Sequence, residues 1–336
     1  MTNTEMWANL SDRAVMSAAV VYALAVLGYL LEWALVRRLP AVGVTTTSAP
    51  RQVLVMHRVS IPQGTDPTLS SADNGRLASD AGGGFWTEFA GRSGLALTVV
   101  AAGLHLVALV TRALAAGRVP WGNMYEFALA GSFGAVALYL VLVPLLRVQW
   151  LGLPVTSVVL VVLMVASLTL YVPAGPLVPA LQSYWLVIHV VAAITATGAF
   201  TLGALTSLLY LLQARAESRR PISLSRHAGR LPSAERIDQI SYRVHAFGFP
   251  VWTFAALIAG PIWAKYAWGR YWGWDPKEVW AFITWVVYAS YLHARATGGW
   301  QGRRAAAVAL IGFGTVLFNF VGINMFGSGL HSYSGL

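Results

Sequence analysis

The chain has 336 residues, of which 57% are hydrophobic and 11% charged, with a mean hydropathy of +0.61. Soluble domains carry about 25% charged residues, so a soluble enzyme built around one packed core is excluded. Lysine and arginine number 23 against 13 acidic residues; in so apolar a chain this +10 balance reads as loops held on one side of a membrane, not as a nucleic-acid surface.

Eight apolar runs follow in order, near 15–36, 93–111, 124–146, 151–171, 185–212, 247–267, 278–294 and 305–326. Each is close to the ~20 residues that cross a bilayer as a helix, which predicts an all-α polytopic bundle. The first run is too long for a cleavable signal and is followed by Arg37 and Arg38 with no small-residue cleavage site, so it reads as a retained span, 1–37. Residues 38–92, rich in Gly, Ser, Thr, Asp and Pro, read as a cytoplasmic linker, and 93–336 as the main membrane domain. The 213–246 loop carries seven arginines. Placing the loops after the first, third, fifth and seventh runs in the cytoplasm puts 17 basic residues there and 6 opposite, so both termini are expected outside. There is no cysteine, hence no disulfide, no thiol relay and no CxxCH haem-attachment motif in the chain itself.

The outer loop before the seventh run concentrates the unusual residues. Trp268, Tyr271, Trp272, Trp274 and Trp280 fall within thirteen positions, interleaved with Gly269 and Gly273. An interfacial aromatic belt accounts for scattered Trp and Tyr; this density and its fixed end point instead to a shaped aromatic platform able to stack on a planar apolar ligand. The end is fixed by Asp275 as helix N-cap, Pro276 at the first helical position and Glu278 closing a capping box. Asn123 and Glu126 repeat the pattern before the third run.

The seven histidines separate by depth. His57 and His227 sit in polar loops and read as solvated; His105 and His245 lie within runs and read as packing or interhelical hydrogen-bond residues. His189 lies one turn inside the outer end of the fifth run, and His331 follows the eighth. These two share a depth on either side of the aromatic segment, as two axial ligands to one iron require, with an apolar wall for the macrocycle. His293 stands seventeen residues beyond Pro276, about 26 Å along a helix, in the inner half of the membrane. An ionisable group there is a functional candidate that needs a partner: His105, His245 or a residue of another protein.

The Trp268-Gly-x-x-Trp272-x-Trp274-Asp275-Pro276-Lys277-Glu278-x-Trp280 run resembles the WWD signature of haem-handling proteins in cytochrome c maturation. Leu181-Gln-Ser-Tyr-Trp185-x-x-x-His189, Gly248-Phe-Pro250 with Gly260 and Trp263-Ala264, Tyr291-Leu-His293-Ala-Arg295 and Leu330-His331-Ser-Tyr333 extend the match in order and spacing. Over about 90–336 the chain is similar to the CcsA/ResC proteins of the System II pathway. The related CcmC and CcmF proteins of System I share the signature but are smaller and larger respectively.

The resemblance implies that His189 and His331 ligate haem b beside Trp268, Trp272, Trp274, Asp275 and Trp280, and that His293 holds haem at an earlier stage of its outward passage. It implies a cytochrome c haem lyase complex in which the chain is the haem-binding component. Its partners would be a separate ResB/CcsB-type membrane protein, apocytochrome c with its CxxCH motif, and a thioredoxin-like thiol reductant. The expected location is a bacterial plasma membrane, with attachment on the extracytoplasmic face. By charge and side alone, Arg270, Lys277 and Arg118 are candidates to pair with the haem propionates. The alternatives are a CcmC-like haem chaperone, a bis-His electron-transfer subunit, whose ligands usually sit inside the bundle, and a solute transporter, for which an internal repeat is expected and none is evident.

Overall fold

Apolar helices in lipid must satisfy every backbone group internally, so the fold is a set of rods whose ends and irregularities carry the chemistry. A computed structural model describes residues 2–38, 70–175, 183–219, 231–327 and 329–331, with backbone alone at 37–38 and 70–83. His57, His227, Leu181, Gln182 and Tyr333 lie outside the described residues.

Among the described residues there is no strand. The helices are α1 (Asn3–Arg38), α2 (Ser70–Ala116), α3 (Met124–Leu146), α4 (Gly152–Thr169), α5 (Tyr184–Ser218), α6 (Ala234–Phe254), α7 (Gly260–Trp268), α8 (Pro276–Thr297), α9 (Arg303–Leu317) and the short α10 (Ile323–Phe326). Single π-turns, Ala255–Ala259 and Phe318–Gly322, join α6 to α7 and α9 to α10 as continuous rods. Seven rods are long and apolar enough to cross a membrane. The expected seventh run is α8, a helix of 22 residues that carries Lys277 and Glu278 at one end and His293 and Arg295 at the other. It packs in the bundle against α9 and α6, and its polar ends are what lower its apolar character. The other difference is at α2. Helix begins at Ser70, well ahead of the expected span at 93, so the second part of the predicted linker is helical.

Packing follows the small residues. Ala196, Gly198, Ala199, Leu202, Gly203 and Ala204 form the buried face of α5, against which α3, α6 and α9 lie. Small side chains let helix backbones approach, which is the main source of attraction between helices in lipid. A second cluster, centred on Phe200 stacked on Tyr288 at 3.8 Å, encloses His245 between α5, α6 and α8.

One buried charge network ties the corner between α2 and α3. Glu126 accepts from the backbone N–H of Gly122 at 2.7 Å and pairs with Arg112 at 3.0 Å and Arg118 at 2.7 Å. The two arginines also donate to the carbonyls of Val172 and Gly175, clamping the segment after α4 onto the α2–α3 corner. Asn123 caps α3 through the N–H of Glu126, as its spacing predicts, but the Glu126 carboxylate returns to the N–H of Gly122 and not to that of Asn123 as a capping box would. The Glu126 side chain is 0% exposed and that of Arg112 1%, so removing the carboxylate strands buried positive charge. Glu126→Ala is expected to destabilise the fold by about 3–5 kcal/mol, read as a lowered melting temperature in detergent; an unshifted melting point would contradict the assignment.

Candidate haem-binding site

His189 is placed on the first turns of α5, which Ser183 caps through the N–H of Trp185. Its Nδ1 lies 2.9 Å from the carbonyl of Ala255, the first residue of the π-turn between α6 and α7. A carbonyl only accepts, so the ring carries its proton on Nδ1 and its lone pair on Nε2. The π-turn displaces the helical register there, a local feature frequent at functional sites. Gly260 ends the turn: a Cβ at that position would lie 3.2 Å from the His189 ring and 3.1 Å from the Ala255 carbonyl. The seat of this imidazole is therefore a backbone surface kept bare.

His331 reaches the same place from the other end of the chain. Its Nδ1 lies 2.8 Å from Oδ2 of Asp275. Asp275 also accepts from the backbone N–H groups of Leu330 at 2.8 Å and Lys277 at 3.3 Å, the latter as N-cap of α8. The capping box expected from the sequence is present, with Glu278 accepting from the N–H groups of Asp275 at 3.0 Å and Gly273 at 2.8 Å. Gly329 allows the tail to come this close, since a Cβ there would stand 2.5 Å from Oδ1 of Asp275. The carboxylate again assigns the proton to Nδ1 and the lone pair to Nε2.

Trp263 is the shared neighbour. Its ring is stacked with His189 at 5.7 Å and 11°, and meets His331 edge-on at 5.4 Å. Trp268 closes on both Trp263, at 4.8 Å, and His331, at 4.6 Å. The two histidines, 142 positions apart by number, thus flank one indole. The predicted aromatic segment divides. Trp268 belongs to the histidine cluster; Trp272 and Trp274 form a perpendicular pair at 5.9 Å, Trp274 being 70% exposed with φ +59°; Trp280 turns to Phe318 in the second π-turn. A non-glycine residue at positive φ holds a strained backbone, a feature that clusters at ligand clamps.

His293 is not part of this cluster. It sits on the exposed face of α8 toward the opposite end of the helix. Of the two internal candidates, buried His105 lies 3.0 Å through Nε2 from the Leu129 carbonyl, and buried His245 lies 2.8 Å through Nδ1 from that of Ser241. The three cations suggested for propionates are each engaged: Arg118 with Glu126, Arg270 with Glu278 at 3.5 Å, and Lys277 with Asn324 at 2.9 Å. Sequence reasoning gave Trp263 and Asp275 no contact with a histidine. The bare glycines 260 and 329 were the only local signal.

The donor set suits haem iron. Two neutral imidazoles with Nδ1 fixed by a carbonyl and by a carboxylate match the outer-shell arrangement that orients metal-ligating histidine, and indole rings supply an apolar wall.

The profile of the cytochrome C assembly protein family matches residues 121–331 of this chain, a stretch that contains His189, Trp263, the 268–280 segment, His293 and His331. The chain is 38% identical over 292 residues to a cytochrome c biogenesis protein CcsA of Synechococcus sp. (strain JA-2-3B'a(2-13)), covering 70% of this chain and 83% of the relative. It is 36% identical to the CcsA proteins of Guillardia theta, covering 72% of this chain and 86% of that relative, and of Porphyra purpurea, covering 68% and 82%. The chain belongs to the cytochrome c assembly family and is a multi-pass membrane protein of cytochrome c biogenesis.

Burial lowers the pKa of His331 despite the opposing pull of Asp275. Burial also opposes ionisation of Asp275, but its bonds to His331 and Leu330 outweigh this and hold its pKa below the ordinary carboxylate value. Both groups bind fewer protons folded than unfolded, so both favour the docked tail at higher pH. The His331 contribution is full above the ordinary histidine value near 6.5 and is lost as pH falls below it; the Asp275 contribution is lost only below about 3.8. Hydrogen exchange at the Leu330 and His331 amides is therefore expected to lose protection between about pH 7 and pH 5. Protection independent of pH in that window would overturn the coupling.

Proposed function

We propose that this chain presents haem b at its outer face for covalent attachment to apocytochrome c, as the haem-binding member of a cytochrome c haem lyase complex. The observation that carries the reading is the convergence of His189 and His331 on Trp263, each with Nδ1 held by a fixed acceptor. Haem is the substrate here: its two vinyl groups are what the CxxCH thiols of the acceptor chain add across, each S–H giving one S–C bond and one C–H bond with no net oxidation. The chain itself has no cysteine, so both sulfurs belong to the acceptor, and a thioredoxin-like reductant keeps them as thiols.

The residues of this chain then bind and orient. His189 and His331 supply the axial nitrogens, and Trp263 and Trp268 wall the macrocycle. Trp272, Trp274 and Trp280 fix the loop and helix around it, and Asp275 holds the His331 tautomer. The gain comes from positioning a vinyl edge against an incoming thiol, the orientation effect that converts an encounter into a near-attack geometry. The motif histidine of the acceptor replaces one axial imidazole as product forms. His331 suits that exchange, because it stands on a tail beyond the last helix and not on a spanning rod.

His293 is assigned to an earlier haem site in the inner half of the membrane. Its exposure on a spanning helix suits a ligand completed by another protein, a ResB/CcsB-type partner. The membrane is assigned as a bacterial plasma membrane, with both termini and the histidine pair outside.

Co-expression with the partner and a CxxCH reporter tests this directly. His189→Ala and His331→Ala are each expected to cut covalent haem on the reporter by at least tenfold and to lower haem in the purified complex, with imidazole restoring part of it. Full haemylation in both variants would end the ligand assignment. His293→Ala should deplete haem from the outer pair as well, read as loss of the bis-imidazole spectrum; undiminished outer haem would remove His293 from the route.

A further inference from the structure

On the face opposite the histidine pair, the end of α3 and the start of α6 leave a cavity of about 170 Å³ lined by Leu145, Leu146, Arg147, Arg236, Gln239, Ile240 and Arg243. Arg236, Gln239, Ile240 and Arg243 are spaced i, i+3, i+4 and i+7, one stripe of α6. Arg147 joins them from the C-cap of α3 in the left-handed conformation, φ +54° and ψ +52°. Glycine or asparagine is the usual residue there; an arginine retains the strained backbone while directing a guanidinium to the groove. Among the described residues no carboxylate forms an ion pair with Arg147, Arg236 or Arg243. Three guanidinium groups without an ion-pair partner among the described residues therefore line one cleft, whose Gln239 donates to the exposed carboxylate of Glu235 at 3.4 Å.

The cleft also has an apolar side. Leu145 is 68% exposed on the last turn of the membrane-spanning α3, two residues before Arg147. Exposed leucine on the lipid side and convergent arginines at the boundary match the profile of an amphiphile: acyl chains along the helix, an oxyanion at its end. Basic clefts between spanning helices are the usual seats of anionic headgroups, and guanidinium binds phosphate oxygens through paired N–H donors.

We propose that this cleft binds the phosphodiester headgroup of an anionic phospholipid, in the leaflet opposite the His189–His331 site. Bound there, the lipid bridges α3 and α6, two rods that both pack against α5. The site is separate from haem ligation and stands whether or not the histidine assignment holds.

The test uses the full chain in a neutral detergent, by native mass spectrometry with added phosphatidylglycerol or phosphatidylcholine. Phosphatidylglycerol adducts are expected to exceed phosphatidylcholine adducts about tenfold or more, and R147Q/R236Q/R243Q to remove the excess. R303Q/R304Q, which deletes two exposed charges of the 298–304 cleft, should leave the preference in place. Equal adducts of the two lipids on the wild type would overturn the proposal, and this outcome does not depend on the variant folding. Preference undiminished in the triple variant, or lost equally in R303Q/R304Q, would overturn the location. Displacement of phosphatidylglycerol by millimolar inorganic phosphate would make this a small-anion site and overturn the lipid assignment.

Discussion

The carboxylate of Asp275 is the contact on which the histidine site depends. Its two oxygens start α8, receive the backbone of Leu330 and hold the ring of His331. A loop, a helix and a tail are thereby fixed to one point. Any one of these bonds is modest, since a net hydrogen bond contributes about 1 kcal/mol and a charge-assisted one about 1.5–3. Together they bring a residue near the chain end to a defined place beside α5. Glu278, closing the box from the other side, keeps that carboxylate in position by holding the backbone of residues 273 and 275.

His189 is held by a different device with the same result. A helical carbonyl paired within the ladder keeps a second lone pair that a side chain can use. The π-turn at Ala255–Ala259 alters the register, and the Ala255 carbonyl serves both Gly260 N–H and the imidazole. One histidine is thus oriented by a side chain at a helix start and the other by a backbone irregularity inside a rod. Both devices set the same tautomer, which is what places the two lone pairs on Nε2.

These two devices also mark the limit of what the sequence carries. The apolar runs, the Asn123 and Asp275 caps and the common depth of His189 and His331 are local or one-dimensional properties, and all were legible. The start of α2 was not, since glycine- and serine-rich composition argues for a linker whereas the chain from Ser70 onward is helical. The π-turns were not legible either: a register shift is decided by the neighbours that use it, here an imidazole from α5. The two arginines bonded to Glu126 come from α2 and from the turn after it, and no spacing rule connects them. The aromatic segment was legible as a cluster but not in its division between Trp268 at His331 and Trp280 at Phe318, which follows from α8 turning away after its cap.

The division of charge across the molecule follows from the same economy of buried polar groups. On the histidine side the cations are spent internally: Arg112 and Arg118 on Glu126, Arg270 on Glu278, and Lys277 on Asn324. At the opposite end of the rods Arg295 is closed onto Asp238 at 2.9 Å, which also receives the N–H of Gly302 and so locks α6, α8 and the start of α9 together. Among the described residues Arg147, Arg236 and Arg243 form no ion pair. An excess of basic residues is therefore not spread evenly as a topological label. Where the architecture needs a fixed charge it supplies a carboxylate, and the guanidinium groups of Arg147, Arg236 and Arg243 stand open beside exposed Leu145. The paired cations stabilise the protein from within, and the unpaired ones are left to its surroundings.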